Sequence, residues 1–292
     1  MNDKPEHIKK KEETLNFLNK IKNLPMIPKV IFNVTKMLED PTMSTYALSS
    51  EIGKDQGLTA KVLSIANSPM YGLQRKVTSL EFAIVVLGYK EMSDIVTAIS
   101  LADTMKVTTD KYFNQEEFWL HSLVVGTASK NISHNLGHLD IGSDAFVAGI
   151  LHDIGIQIIH KFLHPKFIEI IELVKKENMF LLDAELNVLG LTHQDIGGYL
   201  AVKWNLPETL ISPISYHHQP ANAQTYKTIT AIVHLADYMA QFHKMGSFNY
   251  GPELTLDESI IETLKFSNIE ELGEFILNYK DLYSQTIASV RL

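Results

Sequence analysis

The stretch Gly149-Ile150-Leu151-His152-Asp153-Ile154-Gly155 lies inside an apolar run from Ala145 to Ile159. Such a run reads as buried, and burial strips water from an adjacent imidazole and carboxylate. Both then need partners, and a shared metal ion serves both at once. The pair alone proves little; what matters is whether other ligands lie where a helical bundle could bring them together with His152 and Asp153.

The elements available for this are helices. Leu15, Leu18 and Ile21 give residues 11–23 a helical spacing, and Leu24-Pro25-Met26-Ile27-Pro28 breaks it. Pro28 suits the first turn of a helix carrying Val30, Ile31, Val34 and Met37-Leu38, which Asp40-Pro41 ends. Ser44 is positioned to cap 45–53, Gly57 separates it from 58–66, and Ser79 opens an apolar segment from Leu80 to Leu87. The β-branched run Ala83-Ile84-Val85-Val86 would also suit a buried strand, but no matching strand or hairpin turn lies near it. A bend at Gly88 leads into 92–105, and the polar stretch 110–115 marks a boundary between two helical halves.

The second half starts with 116–136, which Gly137 terminates. Ser143 is the expected cap of a single helix over 144–162 that carries His152 and Asp153. Helices over 166–178, 183–191, 194–204, 207–218 and 228–243 follow, with a last one over 269–289. No solenoid period or low-complexity tract interrupts them. The fold class is all-α.

Seven residues on these helices form the candidate metal site: His121, His152, Asp153, His193, His217, His218 and Asp237. Taken singly, each reads as a hydrogen-bonded core residue, a cap or a polar helix end. Seven in apolar helical settings call for a common explanation. Imidazole and carboxylate suit Fe, Mn, Zn or Co, as one ion or two, and an ion held by three or four such ligands keeps a position open for water. His134, His138, His160, His164 and His243 are left as surface or structural, and His234, one turn from Asp237, as an outer partner of the site.

Composition narrows the function classes. There are no cysteines among 292 residues, so thiolate zinc sites, disulfides and a cysteine nucleophile are excluded, in keeping with a reducing cytoplasm. A formal net charge of −8 disfavours nucleic acid as a partner, and Lys9-Lys10-Lys11 reads as a solvated helix start. The polar N-terminus lacks a signal-peptide core, and no apolar run is expected to span a bilayer, so no membrane partner is implied.

The order His121, His152-Asp153, Asp237 resembles the HD superfamily of metal-dependent phosphohydrolases, and the additional His193 and His217-His218 resemble its HD-GYP branch. More specifically, the chain is similar to the HDOD family through Leu24-Pro25-Met26-Ile27-Pro28, Leu58-Thr59-Ala60-Lys61-Val62-Leu63 with Ala66-Asn67-Ser68, and Val77-Thr78-Ser79-Leu80-Glu81-Phe82-Ala83-Ile84 with Leu87-Gly88. Trp204-Asn205-Leu206-Pro207, His217-His218-Gln219-Pro220 and Leu235-Ala236-Asp237 extend the likeness through the second half. The resemblance implies an HD-like helical bundle preceded by an N-terminal helical subdomain packed on it. In numbers, an HDOD domain over 20–245, divided at 110/111, is flanked by helical extensions 1–19 and 246–292.

Two departures bear on activity. HD-GYP enzymes carry a lysine where this chain has Ile156, and a Gly-Tyr-Pro loop where it reads Ala221-Asn222-Ala223-Gln224-Thr225. The resemblance therefore implies first a bacterial signal-transduction protein acting through contacts with an unidentified signalling protein. A second function it implies is a metal-dependent phosphohydrolase acting on a nucleotide or other phosphoester, with Asp153 as the catalytic candidate. A third is a metal-based redox or ligand sensor.

Overall fold

The computed structural model describes residues 4–21, 24–245 and 255–290. The end of the first expected helix, at 22–23, and the start of the C-terminal extension, 246–254, lie outside the described residues. No strand occurs among those described, so the fold is all-α.

The first half comprises α1 (Lys4–Lys20), α2 (Lys29–Leu38), α3 (Thr45–Ile52), α4 (Gln56–Ala66), α5 (Leu80–Leu87) and α6 (Tyr89–Thr104). Ser44 and Ser79 cap α3 and α5 as expected, their hydroxyls accepting from the Ala47 and Phe82 amides at 3.1 and 3.2 Å. Asp55, not Gly57, sets the start of α4, its carboxylate accepting from the Leu58 amide. Gly88, at φ 86°, turns the chain from α5 into α6 in a conformation other residues resist.

The second half comprises α7 (Gln115–Asn135), α8 (Gly142–Leu151), α9 (Ile154–Phe162), α10 (His164–Glu177), α11 (Leu181–Leu189), α12 (His193–Lys203), α13 (Glu208–Tyr216) and α14 (Lys227–Phe242). The single helix expected over 144–162 is two. Its start is not capped by Ser143, which lies inside α8, and it breaks at His152 and Asp153. Taken across that break, Leu139–Phe162 has the length and apolar composition of a membrane span, which was not expected, but its most apolar part is 89% buried inside the protein. Finally α15 (Ser259–Thr263), α16 (Ile269–Asn278) and α17 (Lys280–Val290) close the chain, so the helix expected over 269–289 is also broken, at Tyr279.

One apolar core runs from Leu18 through Val34, Ile52, Ile65 and Ile99 of the first half into Phe146, Ile158 and Leu200 of the second. A second core joins Val125 and Ala128 of α7 to Leu235 and Met239 of α14, and is covered by Leu272, Ile276 and Tyr283. Helices α7 and α8 cross in close contact. A Cβ on Gly149 would stand 2.7 Å from the Gly126 Cα, so both positions must be glycine for the two helices to touch. That contact brings His121, on α7, beside the end of α8, where His152 stands.

The first helix packs across the boundary. Thr14 and Lys10 donate to the Leu189 and Asn187 carbonyls at 2.8 Å, at the end of α11, and Tyr199 of α12 donates to Asn19.

Candidate metal centre

All seven residues singled out in the sequence meet in one buried space at the centre of the second half, none more than slightly exposed. Asp153 stands in the middle. Its Oδ2 lies 3.2 Å from His152 Nε2 and 3.7 Å from His121 Nε2; its Oδ1 lies 3.3 and 3.4 Å from His193 and His217 Nε2. Asp237 closes the first group, its Oδ1 3.2 Å from His121 Nε2 and 3.8 Å from His152 Nε2. His218 spans the two, with Nε2 3.1 Å from His193 Nε2 and Nδ1 3.7 Å from Asp237 Oδ2.

The helix break creates this arrangement. On a straight helix, neighbours diverge by about 100°. Asp153, at φ −94° and ψ 12°, instead turns the chain between α8 and α9. Gly155 then lets the start of α12 approach. A Cβ there would lie 1.9 Å from the His193 carbonyl oxygen, so any larger residue would push His193 away from Asp153. Thr192 and Asp195 form a reciprocal cap that fixes the first turn of α12, where His193 is the first residue.

Four of the imidazoles, those of His152, His193, His217 and His218, are oriented by their other nitrogen or their backbone. Nδ1 of His152 lies 2.8 Å from the Gly149 carbonyl, and Nδ1 of His217 lies 3.2 Å from both the Pro213 and Ile214 carbonyls. Carbonyls only accept, so these Nδ1 atoms carry the proton and Nε2 offers a lone pair to the centre. The buried Glu185 receives His193 Nδ1 at 2.9 and 3.0 Å and the His193 amide at 2.8 Å. Gln194 accepts from the His218 amide, and Gln241 donates to both oxygens of Asp237 at 3.2 Å. His234 donates from Nδ1 to the His217 carbonyl and accepts the Asp257 amide, the outer role expected for it. Glu185, Gln194 and Gln241 were not singled out in the sequence. Nothing separates them there from other polar residues on amphipathic helices.

The donor set fits divalent metal. His121 Nε2, His152 Nε2, Asp153 Oδ1 and His218 Nδ1 are buried without a hydrogen-bond partner, a costly state that a cation would relieve. His193 Nε2 and His217 Nε2 face one another at 3.3 Å although carboxylate and carbonyl acceptors hold both Nδ1 protons. Atoms ligating one ion at about 2.1 Å in a tetrahedral arrangement stand roughly 3.4 Å apart, which matches this cluster. The donors would be His121, His152, Asp153 and Asp237 on one side and Asp153, His193, His217 and His218 on the other.

Burial and neighbouring charges oppose one another across this cluster. Burial opposes ionisation of Asp153, but His152, His193 and His217 hold its pKa well below the usual carboxylate range. Burial likewise opposes charge on His193, yet Glu185 and Asp153 raise its pKa to about 10. Burial wins at His217, pushed down to about 4, and at His218, where neighbouring imidazoles add to it. The buried carboxylates thus require positive charge in the same space, from a proton on His193 or from a cation.

A second group, Asp110 with His160 and His164, differs in kind. Its nitrogens lie 2.9 and 2.7 Å from one Asp110 oxygen, which are hydrogen-bond distances. It latches the linker between the halves to the junction of α9 and α10.

A cavity of about 230 Å³ opens onto Asp153, His193 and His218. Its wall is Phe180, Leu181, Leu182, Asp183, Gln219, Gln241 and Thr255, with no lysine or arginine among the described residues.

With the fold and this donor set established, comparison with known proteins decides the family. The model of the HDOD domain matches residues 24–220. The chain belongs to the HDOD family. A solved HDOD domain protein of unknown function from Geobacter sulfurreducens superposes with a TM-score of 0.76 at 26% identity, covering 95% of each chain. A Shewanella amazonensis SB2B structure provisionally named a phosphohydrolase gives 0.70 at 22% identity over 94% of this chain and 97% of that one. A Marinobacter aquaeolei VT8 structure provisionally named a signal transduction protein gives 0.72 at 17% identity over 98% and 66%. Among curated proteins, one of Treponema pallidum (strain Nichols), described only as uncharacterized, is 22% identical over 228 residues. Those residues are 77% of this HDOD chain and 43% of the relative, so the chain spans less than half of that protein's length.

Proposed function

We propose that this HDOD protein is a bacterial signal-transduction component of the cytoplasm, with a divalent metal centre inside its bundle and with output through contact with a partner protein. The observation that carries this reading is the contrast between a complete donor set and a cavity without a cation. Phosphoryl-transfer sites place arginine or lysine against the phosphate oxygens, and here the mouth presents Asp183 instead. A surface for a partner is available on α5. Phe82, Val85 and Val86 are exposed, Val85 at 71%, as are Tyr89 at the start of α6 and Tyr46 of α3, the latter at 75%. Tyr89 is tied to α3 by a 2.9 Å hydrogen bond with Thr45.

The test is elemental analysis of purified protein alongside a phosphoester panel of p-nitrophenyl phosphate, its bis-ester and cyclic dinucleotides. Expected are about two ions of Fe, Mn, Zn or Co per chain, lost in Asp153→Ala, and no turnover of any ester. Turnover that disappears in Asp153→Ala would overturn the regulatory reading.

That outcome would favour the second reading, a phosphohydrolase acting on a nucleotide or other phosphoester. Its support is the division of the Asp153 oxygens between the two donor groups, with the cavity opening onto that residue. A divalent ion held there supplies Lewis acidity toward a phosphoryl oxygen. The chain itself contributes orientation: Glu185 and the Gly149, Pro213 and Ile214 carbonyls direct imidazole lone pairs inward, and Gln241 holds the Asp237 carboxylate.

A further inference from the structure

A larger cavity, of about 650 Å³, lies away from the metal centre, where α4 and the end of α6 meet the first turns of α7. Its volume is within the range of pockets that enclose small organic ligands, about 300–1,000 Å³. Ile65, Phe118 and Leu123 form a buried apolar floor, and Trp119 is a half-buried wall.

Polar groups in the cavity are few and specific. Ser64 lines it with a buried hydroxyl that has no hydrogen-bond partner. A helical serine usually returns its hydroxyl to the carbonyl one turn back, and this one does not. Gln157 lies deeper, donating to Gln115 at 3.1 Å, so a carboxamide pair forms one edge. The charges do not select for an anion. Lys61 is ion-paired with Asp103 while its ammonium sits 4.4 Å from the Trp119 ring centre, and Lys106 is outnumbered by Glu116 and Glu117 at the rim.

From the apolar floor, the tryptophan wall, the unpaired hydroxyl and the rim's excess of carboxylates, we propose that this cavity binds an uncharged aromatic or heteroaromatic molecule of about nucleoside size. The apolar side chains of Ile65, Leu123 and Trp119 border its ring system, and Ser64 takes a hydrogen bond from its edge or gives one to it. A polyanion is disfavoured by the rim carboxylates, which separates this ligand class from a phosphoester at the metal centre. The cavity shares two helices with that centre. Residues 118, 119 and 123 of α7 flank His121, and Gln157 lies one turn along α9 from Asp153. The proposal does not depend on the metal reading.

Trp119 provides the signal, since the other tryptophan, Trp204, donates to the Pro25 carbonyl at 2.8 Å and does not line the cavity. Full-length protein is titrated with adenosine, caffeine and nicotinamide, and with adenosine triphosphate as the polyanionic counterpart, each with and without chelator. At least one neutral probe is expected to change the emission saturably with a Kd below about 1 mM, at least tenfold tighter than the triphosphate. Ser64→Leu, which fills the cavity, should abolish the response, and Trp119→Phe should remove the signal while calorimetry still detects binding. Should Ser64→Leu misfold, Ala60→Phe at the exposed mouth serves in its place. The proposal falls if no neutral probe saturates, if the triphosphate binds equally well, or if the folded cavity-filling variant binds as the parent does.

Discussion

Glu185 grips His193 from two directions, through Nδ1 and through the backbone amide, and so directs Nε2 toward Asp153. Replacing it with glutamine keeps the shape and removes the charge. Glu185→Gln is expected to weaken metal binding on the His193, His217 and His218 side by about 10–100-fold, and on the His121 side much less. Competition with a chelator of known affinity, read by elemental analysis, checks this. If both ions are lost together, Glu185 supports the fold and not one half of the centre. The meeting of the seven residues was legible in the sequence because a histidine or aspartate on an apolar helix has no solvent to satisfy it. Glu185 was not, because α11 carries Asp183 and Asn187 nearby, and only its contact with α12 shows that it faces inward.

At the scale of elements, the closest approach is between α9 and the start of α12. Gly155→Ala places a methyl where the His193 carbonyl stands, and is expected to cost about 2–4 kcal/mol of stability in urea unfolding. It should also reduce metal content, because His193 moves with its helix. A fully loaded, equally stable variant would show that the two helices can separate freely. The helices themselves were read largely correctly from periodicity and caps, but the two breaks were not. Chain direction at Asp153 and Tyr279 is set by tertiary partners: the donor cluster in one case, and in the other Asn135 and the Ala236 carbonyl, which seat the hydroxyls of Tyr279 and Tyr283. The linker latch has its own signature. Burial opposes ionisation of Asp110, yet hydrogen bonds from His164, the Tyr112 amide and His160 lower its pKa to about 2. A carboxylate depressed in the folded state stabilises above its unfolded value near about 3.9, and that contribution disappears as pH falls toward about 2. Asp110→Asn should therefore be less stable at pH 5, and the difference should shrink between pH 4 and 2 in chemical denaturation.

For the whole molecule, the apolar core passes without interruption from the first half into the second, although a polar linker divides them in sequence. Thermal unfolding is therefore expected to show one transition by far-ultraviolet circular dichroism and by tryptophan fluorescence alike. Ions bound only by the folded state add to its stability, so thorough chelation should lower the midpoint by about 5–15 °C and restoring metal should recover it. Two separate transitions would instead mark the halves as independent. The sequence suggested a boundary at the polar stretch before α7, and the residues there join α6 to α7 without forming a helix. The shared core was hidden, because which apolar faces meet is decided by helix packing and not by periodicity.

The docking of α1 has a consequence for the order of events as the chain is made. The Thr14 hydroxyl meets its partner, the Leu189 carbonyl, across 175 residues. At roughly 5–20 residues per second, α1 waits about 9–35 s for the surface it will cover. During that interval α2 to α6 can already bury Val34, Ile52 and Ile65 against one another, since their contacts are local. Helix α1 is thus made well before it can be fastened, and until then Leu18 lacks the core that buries it in the folded chain.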